Sequence, residues 1–367
     1  MSKKVYIGVG NAARKVNGIY VGVEGVARRV KKAYIGIGGV ARPCFGGGKL
    51  EYYGFITILS ASRSNLAATK AGNHALFGGG QNGSGGYNTV DAYDKALTRT
   101  NPTPLSIGRG NLAATKAGNL AVFGGGYGGG MRNEVDYYDT ALTRQTAVVL
   151  SESRHSLTAA SVGDYALFGG GYNPNAALTA VVDAYDSSMT RIIPTALSMA
   201  RSNLAATDIG GYALFAGGEN GGNYQSVVDA YDSSLTRTNP TALSIARNYL
   251  AGTKVGGYAL FGGGGGGGGA TVDAYNASLT RTNPTGFRVA RNALAATTVE
   301  DYAIFAGGIG GASDVDAYDT SLTRTEPKSL YLGRYSFAAA SVGNFALFGG
   351  GNGGNTVYCD VEAYQVI

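Results

Sequence analysis

The segment Arg63-Ser-Asn-Leu-Ala-Ala-Thr69, then Ala75-Leu-Phe-Gly-Gly-Gly80, then a loose glycine-rich run and Val90-Asp-Ala-Tyr-Asp94, decides the fold, because it recurs six more times. The opening arginines are Arg63, Arg109, Arg154, Arg201, Arg247, Arg291 and Arg334, separated by 46, 45, 47, 46, 44 and 43 residues. A period of that size belongs to propellers and solenoids. Fourteen residues after each arginine stands a phenylalanine: Phe77, Phe123, Phe168, Phe215, Phe261, Phe305 and Phe348. Val90, Val135, Val182, Val228, Val272 and Val315 each precede the next arginine by 19 residues; in the last copy Val361 is followed by Glu362 instead of Asp. All length variation lies between the phenylalanine and the valine, where the separations are 13, 12, 14, 13, 11, 10 and 13. One loop per repeat is free to differ while the rest is held.

Each repeat reads as four strands. The arginine-led Leu-Ala-Ala-Thr is the first, Tyr/His/Leu-Ala-Leu-Phe the second, Val-Asp-Ala-Tyr-Asp the third, and Leu97-Thr-Arg-Thr-Asn-Pro-Thr103 with its equivalents the fourth and outermost. Proline there fits an edge strand, which can spare a ladder donor. The seventh repeat lacks its fourth strand, and Glu51-Tyr-Tyr-Gly-Phe-Ile-Thr-Ile-Leu-Ser-Ala-Ser-Arg63 matches Leu97–Arg109 in register. The expected fold is therefore all-β: a seven-bladed propeller over residues 51–367, with residues 51–62 closing the last blade so that the ring has no free end.

The 61 glycines of this 367-residue chain are read as turns and loops, since regularly spaced strand-like segments separate them. Residues 1–46 hold a smaller repeat, Tyr6-Ile-Gly-Val-Gly-Asn-Ala-Ala-Arg14, Tyr20-Val-Gly-Val-Glu-Gly-Val-Ala-Arg28 and Tyr34-Ile-Gly-Ile-Gly-Gly-Val-Ala-Arg42, each expected to form a hairpin. Residues 47–50 are the linker. Ten basic residues against Glu24 alone give residues 1–50 a charge of +9, leaving −3 for the remainder of a chain whose net charge is +6. Cys44 and Cys359 are too few for a disulfide framework; two free thiols are expected, although convergent chain ends leave pairing open. No apolar run is long enough to span a bilayer, and the N-terminus has no signal-peptide core, so neither membrane insertion nor export by the general secretory route is expected.

The Gly-Gly after an aromatic-ended strand, the Tyr-Asp of the third strand and the period in the mid-forties resemble kelch repeats. Kelch units usually carry a tryptophan on the fourth strand, and this chain has none; Leu97, Leu142, Met189, Leu235, Leu279 and Leu322 are the candidates for its packing role. The Tyr-Ile-Gly-Val…Gly-Val-Ala-Arg repeats resemble segments of tail-associated structural proteins of phages and prophages of Gram-positive bacteria.

Catalysis finds little support. His74 and His155 stand at different offsets in two repeats, which suits neither a metal set nor the copper site of kelch-type oxidases; neither a catalytic triad nor a phosphate-cradling motif is evident. No enzyme activity, cofactor or metal is expected. The aspartates of Val-Asp-x-Tyr-Asp, such as Asp91 and Asp94, recur too regularly for one calcium site and are read as structural. Antiparallel pairing sets each arginine beside its variable loop. In kelch domains such arginines often line the mouth of the central pocket; carried over, Arg63, Arg109, Arg154, Arg201, Arg247, Arg291 and Arg334 would ring it and accept a carboxylate or phosphate. The alternative is that each ties its blade to a neighbouring blade's carbonyls or Asp. The variable loops offer Tyr87, Asn88, Tyr127, Arg132, Tyr172, Asn173, Asn223, Tyr224 and Tyr358, side chains that adaptable binding surfaces use, or that merely satisfy turns.

Together these features point to a non-enzymatic, virion-associated binding protein made in the bacterial cytoplasm. Arg14, Lys15, Arg28, Arg29, Lys31, Lys32 and Arg42 would dock residues 1–46 on other particle proteins or on further copies of the chain, and the propeller would bind a host-surface polysaccharide or protein. A structural decoration protein and an intracellular kelch interaction scaffold are the alternatives. Basic charge alone does not select nucleic acid, and no such partner is expected.

Overall fold

The computed structural model describes residues 48–83, 85–175 and 177–367 in full, and ahead of them the backbone of three two-stranded hairpins. The hairpins pair Tyr6–Val9 with Ala12–Lys15, Tyr20–Val23 with Val26–Arg29, and Ala33–Ile37 with Val40–Phe45. Among the docking candidates, Arg14, Lys15, Arg28, Arg29 and Arg42 fall on these strands, whereas Lys31 and Lys32 lie outside the described residues. The chain divides into two compact units, residues 1–49 with Ile367 and residues 50–366.

The second unit is seven four-stranded antiparallel sheets and, among the described residues, no helix. Ala67–Ala71 pairs with His74–Gly78, that strand with Val90–Tyr93, and the last with Arg99–Thr100; the other blades repeat the order. The first strands of successive blades lie against one another in sequence, and the seventh returns to the first, so they form the inner circle. The arrangement is a closed seven-bladed β-propeller.

Two sequence expectations need adjusting. The fourth strand is much shorter than the motif suggested, two residues in most blades. Leu97, Leu142, Met189, Leu235, Leu279 and Leu322 are not in strands at all: each takes a φ of 59° to 64° in the turn between third and fourth strands. Asp94 creates that turn by accepting the backbone N–H groups of Ala96 and Thr98, both at 2.8 Å. These side chains nonetheless pack against the apolar layers between blades. Leu50, assigned to the linker, instead opens the closing strand Leu50–Phe55, which pairs with Val361–Val366. The register matches the other blades at Gly54 and Ala363 and then slips by one, with Tyr53 as the extra residue of a bulge.

The apolar core is distributed as seven layers, one between each pair of blades. Between blades one and two lie Leu76, Val90, Ala92, Leu105, Leu112, Phe123 and Tyr138. Each third-strand tyrosine crosses into the preceding blade's outer connection: Tyr93 donates to the Thr57 carbonyl at 2.8 Å, and Tyr138 to that of Thr103 at 2.7 Å. Burial, and after it the adjacent carboxylate (an aspartate in six blades and Glu362 in the seventh), pushes all seven phenols well above their ordinary value.

Two circuits of backbone hydrogen bonds close at the end of the ring that carries the loops. In the first, Asn111 donates to Asn65, Ser156 to Asn111, Asn203 to Ser156, Tyr249 to Asn203, Ala293 to Tyr249, Ser336 to Ala293 and Asn65 to Ser336, over 2.8 to 3.2 Å. All seven donors hold φ near +50°, a conformation that asparagine tolerates and other side chains adopt at a cost. In the second, the second glycine of each Gly-Gly pair donates to the carbonyl of the next blade's arginine, as Gly80 does to Arg109 at 2.9 Å and Gly351 to Arg63 at 2.9 Å. This explains the recurring glycines: a Cβ on Gly79 would stand 2.6 Å from the Arg109 carbonyl oxygen, and on Gly350 2.5 Å from that of Arg63. The invariant segments are thus the joints between blades.

Candidate functional site

The arginines belong to the same joint. Every one is shielded from solvent, with Arg63, Arg109, Arg154, Arg201, Arg247 and Arg334 at 0% exposure and Arg291 at 1%. Each meets the buried carboxylate of its own third strand: Arg63 with Asp91 at 2.6 Å, Arg109 with Asp136 at 2.9 Å, Arg154 with Asp183, Arg201 with Asp229, Arg247 with Asp273 and Arg291 with Asp316 at 2.7 Å, and Arg334 with Glu362 at 2.8 Å. In six blades the guanidinium also donates to the carbonyl of the phenylalanine 14 residues on, which ties this spacing to a bond. Desolvation pulls Arg63, Arg154, Arg201, Arg247 and Arg334 down from the usual arginine value, and the facing carboxylates oppose it.

The expected open ring of ligand-reading arginines is therefore corrected. The guanidinium groups are consumed by internal carboxylates, and the alternative is corrected as well, because the tie runs to the carboxylate and carbonyl of the same blade and not to those of a neighbouring one. The aspartates join blades through other donors: Ser60, on the connection that enters blade one, gives Asp91 both its N–H at 3.0 Å and its hydroxyl at 3.1 Å.

The mouth is built by what varies around this frame. The residue after each arginine pairs with the first residue of the variable loop, giving Ser64 with Gln81, Gly110 with Tyr127, His155 with Tyr172, Ser202 with Glu219, Asn292 with Ile309 and Tyr335 with Asn352. In blade five Gly265 donates to the Asn248 carbonyl at 2.8 Å. The backbone sets seven residue pairs in equivalent positions, five of them with two side chains and two with a glycine on one side, so that what each pair presents differs.

Blades two to five carry a continuous polar and aromatic arc. The ring of His155 stacks on Tyr172 at 5.6 Å and meets the edge of Tyr127 at 5.9 Å. Tyr172 donates to Glu219 Oε1 at 3.2 Å, Asn203 donates to the same oxygen at 3.0 Å, and Asn248 to Oε2 at 2.6 Å. Tyr249 follows, its phenol raised by burial first and then by Glu219 and Tyr172. Tyr127, Tyr224 and Tyr249 keep 42%, 46% and 48% of their surface exposed. Burial lowers His155 and so favours its uncharged form, and its Nδ1 lies 2.9 Å from the Ser156 hydroxyl. The arc thus sets aromatic faces that can stack beside amide donors and one oriented carboxylate that can hydrogen-bond.

Among the other loop candidates, Asn173 accepts the N–H groups of Asn175 and Ala177 and so serves its own turn. Arg132 donates to the Gly128 carbonyl within its loop and approaches Glu134 at 3.9 Å. Tyr224 lies over the glycine loop of blade five, where a Cβ on Gly266 would meet its ring at 2.5 Å, and Asn223 is exposed beside it. Tyr87 and Tyr358 are half-buried and Asn88 is exposed; the carbonyls of Tyr87 and Tyr358 receive the N–H of Arg109 and Arg63. Cys359 is a half-buried free thiol, and the side chain of Cys44 lies outside the described residues.

Sequence reasoning missed His155, Asn203, Asn248 and Tyr249 as members of a mouth. The signal was present: the two positions after each arginine change from repeat to repeat inside an otherwise constant frame.

Among the described residues no helix is long and apolar enough to cross a membrane. The sequence matches no protein-family model and no curated protein. Among solved structures the chain is similar to a propeller-like protein reported as "Structure of YjhT", with 13% identity, a TM-score of 0.56, and coverage of 83% of this chain and 95% of that one. At that identity the likeness speaks to the fold alone, and on that ground, with the blade pairing above, the chain is a seven-bladed β-propeller.

Proposed function

We propose that this chain is a non-enzymatic binding protein that uses the arc from Tyr127 to Tyr249 to hold a glycan, on a kelch-type propeller carried by a phage particle. The observation that carries the reading is the Tyr127, His155, Tyr172 and Glu219 cluster, an asymmetric site on a frame whose other positions repeat sevenfold. Rigid support of variable side chains is how binding loops attain affinity without a large ordering cost. The strongly basic hairpin segment, with its resemblance to phage tail-associated repeats, supports attachment to a particle.

Retention of the full chain on bacterial cell walls, and on defined oligosaccharides, tests the reading. Tyr172→Ala and Glu219→Gln should each weaken retention tenfold or more without shifting the melting temperature by more than a few degrees, because both side chains are partly exposed at the mouth and neither belongs to the buried arginine–carboxylate ties or the two backbone circuits. Retention unaffected by both changes overturns the assignment of the arc. Particle attachment is tested apart from this: charge reversal at Arg14, Arg28 and Arg42 should abolish incorporation into particles while cell-wall retention persists.

A further inference from the structure

The fourth residues of the seven inner strands are Lys70, Lys116, Ser161, Asp208, Lys254, Thr298 and Ser341. They stand at one level of the channel, toward the end away from the variable loops, because each inner strand runs from its arginine side down to the tight turn that leads into the second strand. Three are cationic and one is anionic. Asp208 is bonded to Lys254 of the next blade, and Thr298 spans to the backbone of Lys254. Lys70 and Lys116, on blades one and two, have no ion pair among the described residues, so the level carries a net charge of +2.

We propose that this channel level is an anion site that holds a doubly charged oxyanion of phosphate or sulfate type between Lys70 and Lys116, with the hydroxyls of Ser161 and Ser341 as neutral partners. Ammonium groups bind such anions as point charges, and an enclosed lumen screens them less than open surface does. Lys70 and Lys116 stand at equivalent positions of neighbouring inner strands that pack side by side. The Lys70 amine is held down by desolvation first, then by Lys116 and Lys254, and Asp208 opposes the shift. Blades four and five stand opposite blade one in a ring of seven, so the coupling to Asp208 and Lys254 crosses the channel. The level above is lined by Ala68, Ala114, Ala159, Ala206, Gly252, Ala296 and Ala339, which supply no competing charge. This site is separate from the mouth and does not depend on the glycan reading.

Calorimetric titration of the full chain with inorganic phosphate and with sulfate at pH 7 and constant ionic strength tests the proposal. One equivalent should bind, and Lys70→Met with Lys116→Met should weaken it at least tenfold. Asp208→Asn frees Lys254 and should tighten binding several-fold. Tyr172→Ala should leave it unchanged. Circular dichroism confirms that the variants are folded; both lysines face solvent in the channel, so their loss leaves the blade joints intact. Absence of phosphate and sulfate binding by the parent overturns the proposal, as does binding that survives the double lysine change or weakens with Asp208→Asn.

Discussion

Changing Arg201 to alanine should destabilise the propeller by about 3–5 kcal/mol, the usual cost of leaving one member of a buried ion pair behind. Arg201 and Asp229 are both wholly buried. Arg201 Nη2 donates to Asp229 Oδ2 at 2.7 Å and to the Phe215 carbonyl at 3.1 Å, and Nη1 donates to the Met199 carbonyl at 3.1 Å. After the change Asp229 Oδ1 keeps the N–H of Ser198 at 3.0 Å and the amide of Asn239 at 2.7 Å, but Oδ2 keeps no donor among the described residues. Arg237, 3.7 Å from Oδ1, offsets only part of the stranded charge. A second change decides the cause: Arg201→Met with Asp229→Asn removes both charges and should recover at least half of the loss. Urea unfolding followed by tyrosine fluorescence gives both numbers. A variant R201A that unfolds within about 1 kcal/mol of the parent, yet loses cell-wall retention, would refute the reasoning and return the arginines to ligand binding.

Three further outcomes follow from the joints. Tyr93, Tyr138, Tyr185, Tyr231, Tyr275, Tyr318 and Tyr364 hold raised values in the fold, so their contribution is complete below pH about 10 and is lost as pH rises toward the folded values; absorbance at alkaline pH should show these seven of the 25 tyrosines ionising only with cooperative unfolding. Gly217→Ala adds a Cβ 2.6 Å from the Arg247 carbonyl oxygen at a φ of 66° and should cost more than about 2 kcal/mol, measured by the denaturant midpoint. Ala293→Gly, at a φ of 54° in the first hydrogen-bond circuit, should instead stabilise by about 0.5–1 kcal/mol; a loss of stability would show that the methyl group packs usefully there.

The ring was legible in the sequence because its joints are written in fixed spacings. An arginine that reaches the carbonyl 14 residues on, and a tyrosine that crosses to the preceding blade, cannot change separation without breaking a bond, so the repeats keep count. The closing strand was legible for the same reason, and its bulge was not, since a one-residue slip at Tyr53 leaves the flanking motif unchanged. The fate of the arginines was misjudged because a guanidinium at a channel mouth and one turned into a blade share the same strand position. Only the carboxylate facing it distinguishes them, and Asp91 lies 28 residues away in sequence. The mouth was half legible: the loops announced themselves by length, while His155 and Asn248 hid beside the invariant arginines. The channel lysines gave no periodic signal, because only three blades carry one.

The closing strand also orders events during translation. Leu50–Phe55 is synthesised before any blade, and its partner only after blades one to six: Tyr52 bonds Glu362 across 310 residues. While the ribosome works through the intervening repeats, blades one to six can assemble against one another, but blade seven has no third strand and neither hydrogen-bond circuit is closed. The early segment must therefore wait, unpaired, with the apolar faces of Tyr53 and Phe55 accessible. Closure is a single late step whose loop-entropy cost is met by the longest outer-strand pairing in the molecule, and a nascent chain that stops before Val361–Val366 leaves an open arc with two adhesive blade faces.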